Sequence, residues 1–174
     1  LGRAMIHADG LAAMPEFAGL LDRGAGLTYA GISLGGIQGG ALAALAQDYT
    51  RAVLLVPATN FSTLLNRAAP FQALQPVLDQ HYPDRLRQQI GFALLQMLWD
   101  RAEPDGYAQH MTSSPYPNTP KHNVLLMAGY GDHQVANHSA EVEARTVGAR
   151  VLKDDMLRPF RNWEKDPWYG LKPV

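Results

Sequence analysis

The stretch TYAGISLGGIQGGALAALAQ, residues 28–47, constrains the fold more than any other part of the chain. Its first half is short, β-prone and bounded by glycine, which reads as a strand. From Leu34 onward, alanine and leucine recur with helical periodicity. Gly31, Ser33 and Gly35 fall where the two meet, so the strand has to turn sharply into the helix. A serine at such an apex is held in a strained backbone conformation, and its neighbours must be small if strand and helix are to approach closely. Gly36, Gly39 and Gly40 extend the same allowance along the helix. The turn lifts the serine hydroxyl above the sheet edge, beside the backbone N–H groups that begin the helix.

Gly31-Ile32-Ser33-Leu34-Gly35 therefore reads as a G-x-S-x-G nucleophile elbow, with the Leu34 N–H as one oxyanion donor. A glycine-rich helix contact is the plainer alternative. A phosphate loop is disfavoured, because G-x-x-x-x-G-K-[ST] is absent and no lysine occurs in residues 1–47.

Further along the chain, RAVLLVPA (51–58) is a nearly continuous apolar run, as expected of a strand buried on both faces of a parallel sheet. HNVLLMAGYGD (122–132) repeats the pattern. Residues 139–147 are expected to form a helix, 148–154 a further strand, and 15–22 a short helix opened by proline. This alternation implies an α/β fold with right-handed crossovers. Residues 61–115 do not fit a simple crossover and read as a mainly helical, cap-like insert. Within it, residues 84–101 carry Leu86, Ile90, Leu94 and Leu98 at a spacing of four. Such a helix is either buried in the ordinary way or turns an apolar face toward a substrate pocket. EPDGY and SSPYPNTPKHN read as loops.

A serine hydroxyl needs a base, and the base needs an orienting acid. Asp132 follows an apolar strand 99 residues after Ser33, with Gly129 and Gly131 shaping its turn and Val135 able to anchor it. It is the candidate acid; a helix cap or turn residue is the structural alternative.

With these residues in place, the chain resembles the α/β-hydrolase superfamily, in particular serine esterases and lipases with an insert between sheet strands six and seven. The resemblance rests on residues 31–36, 52–56 and 124–135, with the approach from WDRAEPDGY to GYGDHQV, and covers roughly residues 26–154. It implies the triad order serine, acid, histidine, and ester hydrolysis without a metal or other cofactor; the neutral insert, with Phe61, Phe71, Phe92 and Trp99, points to a small apolar ester. Peptidase chemistry uses the same groups.

The pattern is not complete. No histidine follows His138, whereas the family places the base in a loop after the last core strand. His133 and His138 do not match that position, and His7, His81, His110 and His122 read as solvated or hydrogen-bonded residues. A full sheet of this kind has about eight strands, with the second oxyanion N–H in a loop before the elbow; four strands are discernible here. The expected reading is one α/β-hydrolase domain segment over residues 1–174. Missing parts of the same polypeptide, or a companion chain, would complete its sheet and supply the histidine. A chain beginning at Leu1 fits processing or truncation. The alternative is a non-catalytic binding or assembly module that presents the insert or the aromatic tail FRNWEKDPWYG to a protein.

Composition narrows the remaining classes. A formal charge of -1, from 15 basic and 16 acidic residues, leaves no footprint for nucleic acid. No run reaches the roughly 18 apolar residues of a membrane span. The absence of cysteine excludes disulfides and thiolate chemistry and leaves the compartment open.

Overall fold

A computed structural model describes residues 1–151 together with the short strand Lys172–Pro173. Strands β1 (Leu27–Ile32), β2 (Tyr49–Leu55) and β3 (Asn123–Met127) form one parallel sheet in that order. Their ends are aligned: Ile32 pairs with Leu55, and Leu55 with Met127. Helix α1 (Gly2–Ile6) precedes the sheet, α2 (Leu34–Leu45) joins β1 to β2, and α7 (Asn137–Val147) follows β3. Between β2 and β3 lie α3 (Phe61–Leu65), α4 (Gln75–His81), α5 (Arg85–Trp99) and α6 (Ala108–Thr112). The chain is thus α/β, with a parallel sheet flanked by helices.

The order β1-β2-β3 runs in one direction, and right-handed crossovers then deliver every connecting helix to the same face. α2, α6 and α7 accordingly pack together there. Ala43 and Ala44 of α2, Ala108 and Met111 of α6 and Val147 of α7 form one buried cluster with Ala52 and Leu54 of the sheet, joined by Tyr29, Val124 and Leu126. The opposite face carries Ala30, Ile32, Leu125 and Met127, all exposed, with Val53 and Leu55 half-buried. The expectation that residues 51–58 are buried on both faces is met on one face only, since nothing among the described residues covers the other.

Two elements differ from those read in the sequence. Residues 15–22 do not make a helix: a single 3-10 turn, Pro15–Phe17, is followed by Gly19 at φ 79°. Arg150–Val151 (β4) pairs with Lys172–Pro173 (β5) in a separate two-stranded parallel sheet and is not hydrogen-bonded to β3. The remainder of the strand expected to reach residue 154, and the FRNWEKDPWYG tail, lie outside the described residues.

Candidate functional site

Ser33 stands between β1 and α2 at φ 54°, ψ −122°, a left-handed value that non-glycine residues seldom adopt. The corner is held from several sides. The Ser33 N–H donates to the Leu55 carbonyl at 3.2 Å, extending the β1–β2 ladder by one bond, and the Ile37 N–H donates to the Ser33 carbonyl at 2.8 Å. The Tyr29 hydroxyl reaches from β1 to the Gly35 carbonyl in the first turn of α2, at 2.7 Å. Glycine is required where backbone meets backbone. A Cβ on Gly31 would lie 2.3 Å from the Gly35 oxygen, and one on Gly36 would lie 2.1 Å from the Leu55 oxygen.

A serine preceding a helix ordinarily caps it with its side chain. Asn60 and Asp84 do this for α3 and α5, whereas Ser33 makes no such bond and is exposed at the carboxyl edge of the sheet. Its hydroxyl is left available. Leu34 is the first residue of α2, so its N–H has no acceptor within the helix.

Asp132 lies in the turn that leaves the carboxyl end of β3. Its Oδ1 accepts the N–H groups of Gln134 at 2.7 Å and Val135 at 2.9 Å, so both bonds fall on one oxygen and Oδ2 stays open to another donor. Gly131 enters the turn at φ 68°, and Asn137 closes it by accepting the Gly131 N–H and donating to the Gly129 carbonyl. A small apolar cluster sits beneath these turns. Ile37 from the first turns of α2, Val135 from the Asp132 turn, Ala58 and Leu64 are buried together, with Val56, Phe61 and Ala136 against them. Ser33 and Asp132 thus follow the ends of β1 and β3, on either side of β2, which puts about 10 Å between those strand ends.

The six histidines are dispersed. His133 is exposed next to Asp132, with its carbonyl accepting the Ala69 N–H at 2.7 Å, and His138 is exposed at the second residue of α7. His81 Nδ1 lies 2.8 Å from the Val77 carbonyl, and His110 stacks on Tyr116. His122, expected to be solvated or hydrogen-bonded, is not solvated: it is buried, edge-on to Tyr49, and burial pushes its pKa down. It precedes β3, at the sheet edge opposite Ser33. A cavity of about 680 Å³ lies at that same amino edge, against Leu27, Tyr49, Arg51 and Pro120, and so does not serve Ser33 either.

The insert holds two features that its sequence did not disclose. EPDGY, read as a loop, is a clamp. Glu103 is fully buried and accepts four N–H groups: Asn60 and Asp105 backbone on Oε2, Phe61 backbone and Gln96 Nε2 on Oε1. Asp105 accepts from Thr59 Oγ1 and Asn60 Nδ2. Burial raises the Glu103 pKa, with the bonds from Asp105, Gln96 and Phe61 opposing it. Asp100, Glu103 and Asp105 bring oxygens within 4.8 Å of one another, but N–H and O–H donors already occupy that acidic group. It fastens the start of α3 to the end of α5. Three phenylalanines and the tryptophan of the insert also turn toward each other. Phe61 and Phe92 both approach Trp99, and Phe71 packs edge-on to Phe92.

Among the described residues, Glu143 of α7 is the other buried acid. Both its oxygens lack a hydrogen-bond partner, and it presses on α2 where a Cβ on Gly40 would come within 3.0 Å of Oε1. Burial, with a smaller contribution from the Glu103 charge, pushes its pKa up to about 8. No protein-family model matches this chain, and neither a curated protein nor a solved structure is significantly similar to it.

Proposed function

We propose that the chain is the nucleophile-bearing part of a serine ester hydrolase of the α/β-hydrolase type. One observation carries the reading: Ser33 sits in a left-handed corner at the carboxyl edge of a parallel sheet, with its hydroxyl exposed and not used to cap α2. A capping serine needs no strain. A strained serine that forgoes its cap is accounted for if the hydroxyl is required elsewhere.

In this reading Ser33 Oγ attacks the ester carbonyl and its proton passes to an imidazole. That histidine comes from outside these 174 residues and is oriented by the open Oδ2 of Asp132. The Leu34 N–H stabilises the oxyanion; the alkoxide then leaves with the proton, and water releases the acyl group by the same path in reverse. The substrate is a small apolar ester, and the chemistry draws on no metal or other cofactor. Among the described residues one sheet face is uncovered and β1 has no partner on its outer edge, which supports the companion expectation that further polypeptide, from the same protein or a second chain, completes the sheet. Among the described residues no helix is long and apolar enough to cross a membrane. A non-catalytic module is the second reading, and the exposed apolar surfaces favour it to the extent that they are interfaces.

The test is hydrolysis of a nitrophenyl ester by a polypeptide that includes the missing histidine. Ser33→Ala is expected to abolish turnover without unfolding. Asp132→Asn is expected to leave a residue of activity about 10⁴-fold lower, because the imidazole is then held in the wrong tautomer. Undiminished turnover in Ser33→Ala would refute the reading.

A further inference from the structure

The longest helix of the insert is turned inside out. α5 buries Gln88, Phe92 and Gln96, while Leu86, Ile90, Leu94, Met97 and Leu98 remain between 52% and 69% exposed. The orientation is fixed by the buried amides. Gln88 Nε2 donates to Asp79 Oδ1 at 2.8 Å and to the Tyr82 carbonyl at 2.6 Å. Gln96 donates to Asp100 and Glu103 and accepts the Ser62 N–H at 2.9 Å. Rolling the helix to bury its leucines would break these bonds and leave the fully buried Glu103 without the Gln96 donor, where no water replaces it. The apolar face is therefore committed outward.

Leu86, Ile90, Leu94 and Leu98 form one i+4 row, Met97 lies beside it, and no charged residue occurs between Arg87 and Asp100. These five side chains leave on the order of 600 Å² of contiguous apolar surface, the upper end of what a monomer tolerates. We infer that α5 is the contact between two copies of this chain, packed antiparallel about a two-fold axis near the middle of the helix. A straight i+4 ridge fits the grooves between the same ridges on its own copy, and a two-fold axis needs only one patch. Full coverage of two such faces would remove about 1,200 Å² from water, which reaches the lower bound for a stable specific interface. A lipid surface fits less well. Arg85 is paired with Asp79 at 2.7 Å and Arg87 lies 4.0 Å from Asp84, so the basic residues at the amino end of α5 already have carboxylate partners.

Because the chain has no cysteine, single cysteines report the contact cleanly. Sedimentation velocity of the 174-residue chain is expected to show a dimer at tens of micromolar, and Leu94→Glu to weaken it by about a hundredfold by placing two carboxylates at the axis. Leu94→Cys, at the axis, is expected to form a disulfide-linked dimer on mild oxidation. Leu94 is exposed, so its replacement leaves the fold intact, which circular dichroism verifies. A chain that is monomeric at about a hundred micromolar overturns the inference, as does a dimer that survives Leu94→Glu and cross-links through Met127→Cys on the bare sheet face. So does a monomer that floats with phosphatidylcholine vesicles and loses that property in Leu94→Glu.

Discussion

α2 and α5 are both long helices rich in leucine, and they meet the rest of the molecule in opposite ways. α2 buries Gly36, Ile37, Gly39, Gly40, Ala43 and Ala44 and leaves Leu42 and Leu45 exposed. Its seat is decided by how closely two backbones can approach, since only the absence of a Cβ lets it cross Leu55 and Tyr29. α5 buries two glutamines around one phenylalanine, and its seat is decided by which buried donors and acceptors it must satisfy. In neither helix does the face richest in large apolar side chains point inward. Apolar periodicity shows which residues share a face; sterics and hydrogen bonds decide where that face points.

Substitutions that interchange the two logics should break this contrast. The largest effect is expected at Gly36→Ala, where the new Cβ would meet a backbone oxygen that cannot move aside: a loss of more than about 4 kcal/mol, or no folding, by denaturant titration. Its neighbour is the control. Gly35→Ala meets nothing closer than the Tyr29 hydroxyl at 3.7 Å and gains helix propensity of up to about 1 kcal/mol.

Glu143, wedged against Gly40, tests the same interface through pH. Its folded pKa of about 8 exceeds the ordinary carboxyl value near 4.3. The folded state therefore holds the proton more tightly, and this group costs stability progressively as pH rises from the unfolded value to about 8. Glu143→Gln should flatten that slope. Its advantage over the parent is expected to grow by a few kcal/mol between about pH 4.5 and pH 8, measured as unfolding free energy at each pH; an advantage independent of pH would place the carboxyl in water.

In α5 the counterintuitive outcome is that greasing the buried face weakens the protein. Gln96→Leu should cost about 2 kcal/mol, because Glu103 and the Ser62 N–H lose a buried partner. The smallest effect is expected at Leu94→Gln, within about 0.5 kcal/mol when unfolding is followed at concentrations too low for association. A larger loss there would mean that the leucine face is buried within one chain.

The corner at Ser33, the run of β2 and β3, the Asp132 turn and the extent of α5 were all legible in the sequence, because each depends on residues within one or two turns of each other. Glycine at 31 and 36, and aspartate two and three residues before the N–H groups it accepts, leave local signatures. The clamp did not, since Glu103 and Asp105 find Thr59, Asn60 and Phe61 more than forty residues back. The tie from Tyr29 to Gly35 was hidden for a different reason: a tyrosine in a strand reads as ordinary core until the helix above it is placed. The bare sheet face was unreadable because an apolar strand looks the same whether one face or two is covered.

Ser33 as a nucleophile whose base lies outside these 174 residues is the claim on which the functional account rests, and mass spectrometric mapping of a fluorophosphonate adduct tests it most directly. A longer polypeptide that carries a histidine beyond Val174 should take one adduct, on Ser33, and the 174-residue chain should take none, because its serine keeps its proton at neutral pH. Labelling of the 174-residue chain at Ser33 would contradict the external base and point to His133 or His138; an unlabelled Ser33 in both would contradict the nucleophile itself.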